Sequence, residues 1–120
     1  MLSQSGVTKE TYYANNQILF TVEPKVVVGV QLKGAVGVIK AGTPITGDLM
    51  NRNGDFTVTA ADDVVGVTLH DVEIKDATKA VNSECLIFGF VDVKKVHEDV
   101  AKLYTETIVT GLAGKVWFLK

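Results

Sequence analysis

Two short segments hold the residues that could carry out acid–base chemistry. His70 stands beside Asp71, and His97 stands beside Glu98. A histidine next to a carboxylate can serve as a general base when a nucleophile lies within reach. No serine or cysteine accompanies either histidine in a recognisable catalytic motif, which favours the interpretation that both lie in loops or on the surface. The chain is predicted not to be an enzyme, and a small enzyme that uses His70 or His97 is kept as an alternative.

The densest group of oxygen ligands lies around Gly54, where Asp48, Asn51, Asn53 and Asp55 could face a calcium ion. The glycine comes too early for a calcium loop of the EF-hand type, and no glutamate follows at the distance that would supply the last ligand. Two histidines and one cysteine are too few for a convincing zinc site. The sequence therefore predicts no metal and no cofactor, and a hairpin turn explains these residues better.

The composition indicates one small domain rich in β-strands. The chain has 120 residues, of which 47% are hydrophobic and only 8% aromatic, and compact domains most often hold about 100 to 150 residues. Valine fills 20 positions, and its branched side chain packs well on a pleated sheet. A chain of this size buries only about two-thirds of its unfolded surface. Some of these aliphatic side chains are therefore expected to be covered by a partner subunit.

Charge and hydropathy argue against several classes of partner. The net charge of -2 comes with a single arginine and no basic cluster, so nucleic acid is not a predicted partner. No apolar run approaches the roughly 18 residues of a membrane-spanning helix, and the first residues lack the pattern of a secretion signal. Cys85, the only cysteine, lies in an apolar run and is predicted to be a buried free thiol. The chain is expected to be soluble and made in the cytoplasm.

The chain divides into a polar N-terminal arm, residues 1–16, and a β-rich domain, residues 17–120. Residues 26–30 form a continuous aliphatic run and are expected to be a strand buried on both faces. One short helix is predicted within residues 96–104, where apolar side chains recur at helical spacing. The β-branched residues 105–110 argue against its extension. Further strands are predicted at residues 18–22, 36–40, 64–69, 72–74, 85–93 and 116–119.

The pair Asn53 and Gly54 is the clearest turn signal, because both residues tolerate positive φ. It predicts a two-residue hairpin turn between residues 49–50 and 56–58. Gly42 with the proline at position 44 predicts a second tight turn.

Strict alternation along residues 85–93 would place Leu86, Phe88 and Phe90 on one face of a long strand. Seven or eight short strands with one small helix predict a mainly β fold. Its architecture is either a small β-sandwich or a partly open β-barrel.

The order of these elements resembles the small head-decoration proteins of tailed bacteriophages, of the lambda type, and the related base domains of head fibres. The similarity spans residues 17–120. It rests on four segments in order: 39–45 (IKAGTPI), 64–72 (VVGVTLHDV), 88–93 (FGFVDV) and 112–119 (LAGKVWFL). The resemblance implies a β-tulip-like domain preceded by an extended N-terminal arm.

Such decoration proteins act as cement: as trimers they bind the outer surface of the assembled shell of major capsid protein and stabilise it. The resemblance implies the same partners here, the major capsid protein and further copies of the chain, with no membrane and no small-molecule substrate. It also implies a place on the capsid exterior of a virion, either as a lone cement protein or as a fibre base.

The resemblance assigns capsid contact to the arm, by addition of a strand to the shell protein. The residues implied in that contact are Leu2, Val7, Tyr12 and Tyr13. Two adjacent tyrosines could also lie on the domain of the same chain, and this alternative stays open.

One other binding module shares part of the pattern. Residues 37–45 resemble a strand of a biotinyl or lipoyl domain, whose modified lysine lies in an exposed hairpin. The hairpin predicted here carries Asn53 and Gly54 and no lysine, which argues against this alternative. An intact mass without a lysine adduct would exclude it.

Overall fold

The computed structural model describes residues 18–34 and 36–120, and it confirms the mainly β prediction. The strands are β1 Val26–Leu32, β2 Gly37–Ile39, β3 Pro44–Thr46, β4 Asp55–Val58, β5 Gly66–Thr68, β6 Val72–Ile74, β7 Val81–Asp92 and β8 Val116–Leu119. The helical elements are a 3-10 helix Val93–Lys95, α1 Glu98–Ala101 and α2 Glu106–Gly111. Within these residues, no helix has the length and hydropathy needed to cross a membrane.

Five strands form a hydrogen-bonded ring. β1 lies parallel to β4, and β3 pairs antiparallel with both β4 and β5. β7 pairs antiparallel with β5 and closes the ring on β1. β8 adds to the ring from outside, parallel to β7, while β2 and β6 form a separate antiparallel pair. Because β7 has 12 residues, it contributes both to the ring and to the extension beyond it.

The first hydrophobic cluster, called the inner cluster, takes side chains from four of the ring strands. Phe56 is its largest member and is fully buried. A shared cluster of this kind holds strands together that are distant in sequence, because each buried side chain gains from the apolar surface of the others. Its buried residues are Val30, Leu32, Ile45, Phe56, Val72 and Cys85.

The second cluster, called the outer cluster, lies between the strands and the helical segment. The strands supply Val67, Leu86, Val91 and Val116, and the helical segment supplies Val96, Val100, Ile108 and Leu112. Tyr104 packs against this cluster and contacts the ring of Phe118, with 4.3 Å between ring centroids. The two clusters therefore use opposite faces of β7, with neighbouring Cys85 and Leu86 in different clusters.

The predicted two-residue hairpin turn at Asn53 and Gly54 is wrong. The hairpin joins β3 to β4, and two hydrogen-bonded turns follow one another in the connection. The Asn51 amide donates to the Asp48 carbonyl at 2.9 Å, and the Gly54 amide donates to the Asn51 carbonyl at 3.1 Å. Gly54 does not adopt positive φ. Pairing and burial of the strands, rather than the local turn preference, set the register of this hairpin.

The predicted faces of the long strand are also wrong, because β7 contains a bulge. The register shifts between the pair Val26–Phe88 and the pair Val27–Leu86. An extra residue on one strand reverses the alternation of side chains beyond it. Leu86 and Val91 consequently both pack in the outer cluster, while the two phenylalanines of β7 lie on the opposite face with the tryptophan of β8.

Two predictions near the start of the domain need correction. Residues 18–22 form no regular strand, although Leu19 makes an isolated bridge to β7. Residues 26–30 do belong to β1, but the strand is not buried on both faces. Val28 packs against the inner cluster and Val27, on the opposite face, packs against the outer cluster. Val26 is 48% exposed and Gly29 is exposed as well, so Val30 is the one fully buried residue of this run.

Residues 105–110 were predicted not to be helical because they are rich in β-branched side chains, but most of them lie in α2. α2 begins after Thr105, whose hydroxyl accepts a hydrogen bond from the Ile108 amide at 3.4 Å. Such an N-cap satisfies a donor that the helix itself leaves free. Ile108 is fully buried in the outer cluster. Capping and burial outweigh the weak helix propensity of the β-branched residues in this short segment.

Candidate functional site

His70 follows β5 and faces β7. Its Nε2 atom lies 2.6 Å from Oε1 of Glu84, and both side chains are partly exposed. The neighbouring Asp71 accepts a hydrogen bond from the Ala41 amide at 2.8 Å. His70 and Asp71, although adjacent in sequence, therefore have different partners. His70 pairs with Glu84 on β7, and Asp71 binds the backbone at the start of the turn after β2.

His97 caps α1. Its Nδ1 atom accepts a hydrogen bond from the Asp99 amide at 3.1 Å. This bond satisfies one of the backbone amides that the first turn of a helix leaves free. The Asp99 carboxylate lies 3.6 Å from the same nitrogen and 3.9 Å from Nζ of Lys40. His97 and Asp99 therefore form the exposed N-terminal cap of α1.

One cleft brings the two histidine-containing segments together. It has a volume of about 280 Å³ and includes both Asp71 and His97 in its wall, with Lys40 and Lys95 beside them. Lys95 donates to the carbonyl of Leu19 at 3.0 Å. No described residue of the cleft wall carries a hydroxyl or thiol. The cleft thus offers a carboxylate, an imidazole and two ammonium groups without a side-chain nucleophile for them to activate.

Two of the predicted oxygen ligands around the β3–β4 connection, Asp48 and Asp55, make other contacts. Asp48 accepts from the Met50 amide at 2.9 Å, and Asp55 lies 3.5 Å from Nζ of Lys33. Within residues 18–34 and 36–120, no three histidine, cysteine or acidic side chains come close enough to hold a metal ion. A polar cleft of about 470 Å³ borders this connection, and Arg52 is its one charged side chain among the described residues.

Cys85 carries the single thiol of the chain and is fully buried. Its side chain lies in the inner cluster, and burial raises the pKa of its thiol from 9.0 to about 12. The thiolate is the nucleophilic form, so this thiol is inert at neutral pH. Because the pKa is raised on folding, the stability associated with this group is fully present below pH 9 and is lost as the pH rises toward 12.

We expect Cys85 to resist alkylation by iodoacetamide in the native protein. Reaction should require unfolding, which makes it more than about a thousand-fold slower than in denaturant for a domain of ordinary stability. Mass spectrometry of samples taken over time would measure both rates. Rapid modification of the native chain, with unchanged circular dichroism, would contradict the burial of this thiol.

A group of aromatic side chains with exposed apolar neighbours lies on β7 and the adjacent segments, and we call it the aromatic face. Trp117 stacks on Phe90 with 5.0 Å between ring centroids and meets Phe88 edge-on at 5.4 Å. Phe20 lies alongside, since its amide donates to the Phe90 carbonyl at 2.9 Å. Val26 pairs with Phe88 across the sheet. The exposed fractions of Phe20, Val26 and Trp117 are 56%, 48% and 37%.

The spacing of the aromatic residues in the sequence was a signal for this face, but the assumption of strict alternation grouped them with the buried Leu86. Phe88 and Phe90 are two residues apart and the tryptophan lies on the next paired strand, so they share a face whatever the burial of that face. The bulge separates them from Leu86 and leaves them at the surface. Exposed aromatic groups in a contiguous patch are typical of binding surfaces.

The predicted capsid-contact residues Leu2, Val7, Tyr12 and Tyr13 lie outside the described residues. The chain matches no protein-family model and no curated protein.

Proposed function

We propose that the protein is a structural decoration protein of a phage capsid, which binds the outside of the assembled shell as a homotrimer and stabilises it. The aromatic face is the observation that carries the proposal. It offers the exposed side chains of Phe20 and Trp117 for contact with other protein surfaces, while the described residues of the cleft that holds Asp71 and His97 include no side-chain nucleophile. A binding protein needs an exposed apolar surface and does not need a side-chain nucleophile.

The chain enters the domain beside that face. Leu19 bridges to Val91, and the amide of Asp92 donates to the Ile18 carbonyl at 2.9 Å. The described chain therefore begins at a point that one isolated bridge and two backbone hydrogen bonds attach to β7. An arm anchored in this way can add a strand to a shell protein, and three arms in a trimer raise the total affinity well above that of a single contact.

Deletion of residues 1–14 tests this proposal. We expect the truncated protein to fold and trimerise but to lose decoration, because the domain alone has no arm to lay on the shell. With three arms acting together, apparent affinity should fall by at least about 100-fold. Co-sedimentation with expanded capsids assembled without the protein would measure binding, and light scattering would measure the oligomeric state.

A full-length variant with Thr8→Ala and Thr11→Ala is the matched control, because it alters polar residues of the arm and keeps its length. It should decorate like the unchanged chain. Full decoration of capsids by the truncated protein would refute the assignment of the arm to shell contact.

A further inference from the structure

The aromatic face begins where the described chain begins. Ile18 and Leu19 are buried and run antiparallel to the end of β7, with Leu19 opposite Val91. The Phe20 amide then donates to the Phe90 carbonyl at 2.9 Å, and the Phe20 side chain is 56% exposed. The described chain therefore begins beside β7, at the border of the aromatic face.

The distances allow this segment to return over the face. Neighbouring strands lie about 4.8 Å apart, so Phe20 is separated from β8 by two spacings, or about 10 Å. An extended chain advances about 3.3 Å per residue. The five steps along the chain from Tyr13 to Ile18 can therefore span about 16 Å, which is enough to bring Tyr12 or Tyr13 over Trp117 even after a bend.

The composition of the segment suits the face. Lys9 and Glu10 are its only charged side chains, and the aromatic face itself consists entirely of uncharged groups. Tyrosine covers apolar surface with its ring while its hydroxyl stays in water, at a small cost in side-chain entropy. Leu2 and Val7 add further apolar contact along the same segment.

A tethered segment also has an advantage over a second copy of the chain. A short flexible link holds its end at an effective concentration of about millimolar. Free protein at micromolar concentration must bury much more surface to compete, and it must also offset the translational and rotational freedom lost on association.

We propose that, in the free protein, the N-terminal segment of residues 1–17 docks on the aromatic face of its own domain, with Tyr12 and Tyr13 packed over Trp117 and Phe90. This inference does not depend on capsid binding, since it concerns the chain before any partner is present. It makes the arm and the face a single unit in which each covers the apolar groups of the other.

The chain provides its own probe, because Trp117 is its only tryptophan. Collisional quenching of tryptophan fluorescence by acrylamide scales with the exposed area of the indole ring, and Trp117 is 37% exposed. Deletion of residues 1–14 should raise the quenching constant about two-fold and shift the emission to longer wavelength, if the tyrosines cover half of that area. An unchanged quenching constant after deletion would overturn the proposal.

Point variants keep the test valid should the truncated chain fail to fold. Tyr12→Ala with Tyr13→Ala should reproduce the increase in quenching, and Thr8→Ala with Thr11→Ala should not. A synthetic peptide of residues 1–17 added to the truncated protein should restore protection, whereas the same peptide without its tyrosines should not. Protection that disappears when the full-length protein is diluted would overturn the proposal in favour of contact between two copies.

Discussion

Replacement of Phe56 by alanine is expected to lower the free energy of unfolding by about 3 to 5 kcal/mol. The ring of Phe56 is fully buried in the inner cluster, and it lies against the backbone of Gly47 at the start of the β3–β4 connection. Truncation would leave a cavity bounded by strands that are already closed into a ring. Such a ring cannot easily collapse onto the space, so the loss should reach the upper part of that range.

Urea unfolding followed by circular dichroism would measure this loss as a shift in the transition midpoint at constant slope. Met50→Ala is the control, since Met50 lies in the same hairpin connection and is 94% exposed. Its effect should stay within about 0.5 kcal/mol. A loss below about 1 kcal/mol for Phe56→Ala would mean that the inner cluster does not hold the ring together.

Gly42→Ala should destabilise the fold by about 3 kcal/mol. Gly42 has a φ of +94°, which costs a residue with a Cβ atom about 1 to 2 kcal/mol. An added Cβ would also lie 2.5 Å from the Tyr104 hydroxyl and 3.0 Å from Cγ1 of Val96, and overpacking of this kind costs about 1 to 3 kcal/mol. The turn after β2 is thus held tightly against the helical segment.

Two further variants test why Gly42→Ala is expected to be destabilising. Tyr104→Phe removes the hydroxyl that donates to the Gly42 carbonyl at 2.7 Å, which should cost about 1 kcal/mol alone. In that background the additional effect of Gly42→Ala should be smaller, because part of the collision is gone. Gly29→Ala is the matched control, with no atom within 4 Å of its added Cβ, and it should be nearly neutral. Equal losses at positions 42 and 29 would argue against a tightly packed turn.

The fold class followed from local properties of the chain. Valine at 20 positions and regularly spaced turn residues favour short strands through sterics that act within each segment. The burial of Cys85 was predicted from its apolar neighbours and is confirmed. For the functional residues, the sequence alone suggested the arm and its tyrosines through a resemblance, and it indicated that neither histidine is accompanied by a nucleophile in sequence.

Tertiary structure decided what depends on pairing between distant segments. The bulge in β7 separates Phe88 from Leu86, and its position is set by the fit of β7 against β1, strands that are more than fifty residues apart in sequence at this point. Burial of Ile108 favours a helix where propensity opposes one. The aromatic face exists only because Phe90 and Trp117 stack across β7 and β8 while the backbone of Phe20 bonds to β7 from the other side. Local preference determines which segments become strands, but side-chain faces and surfaces depend on register, and register is fixed by long-range packing.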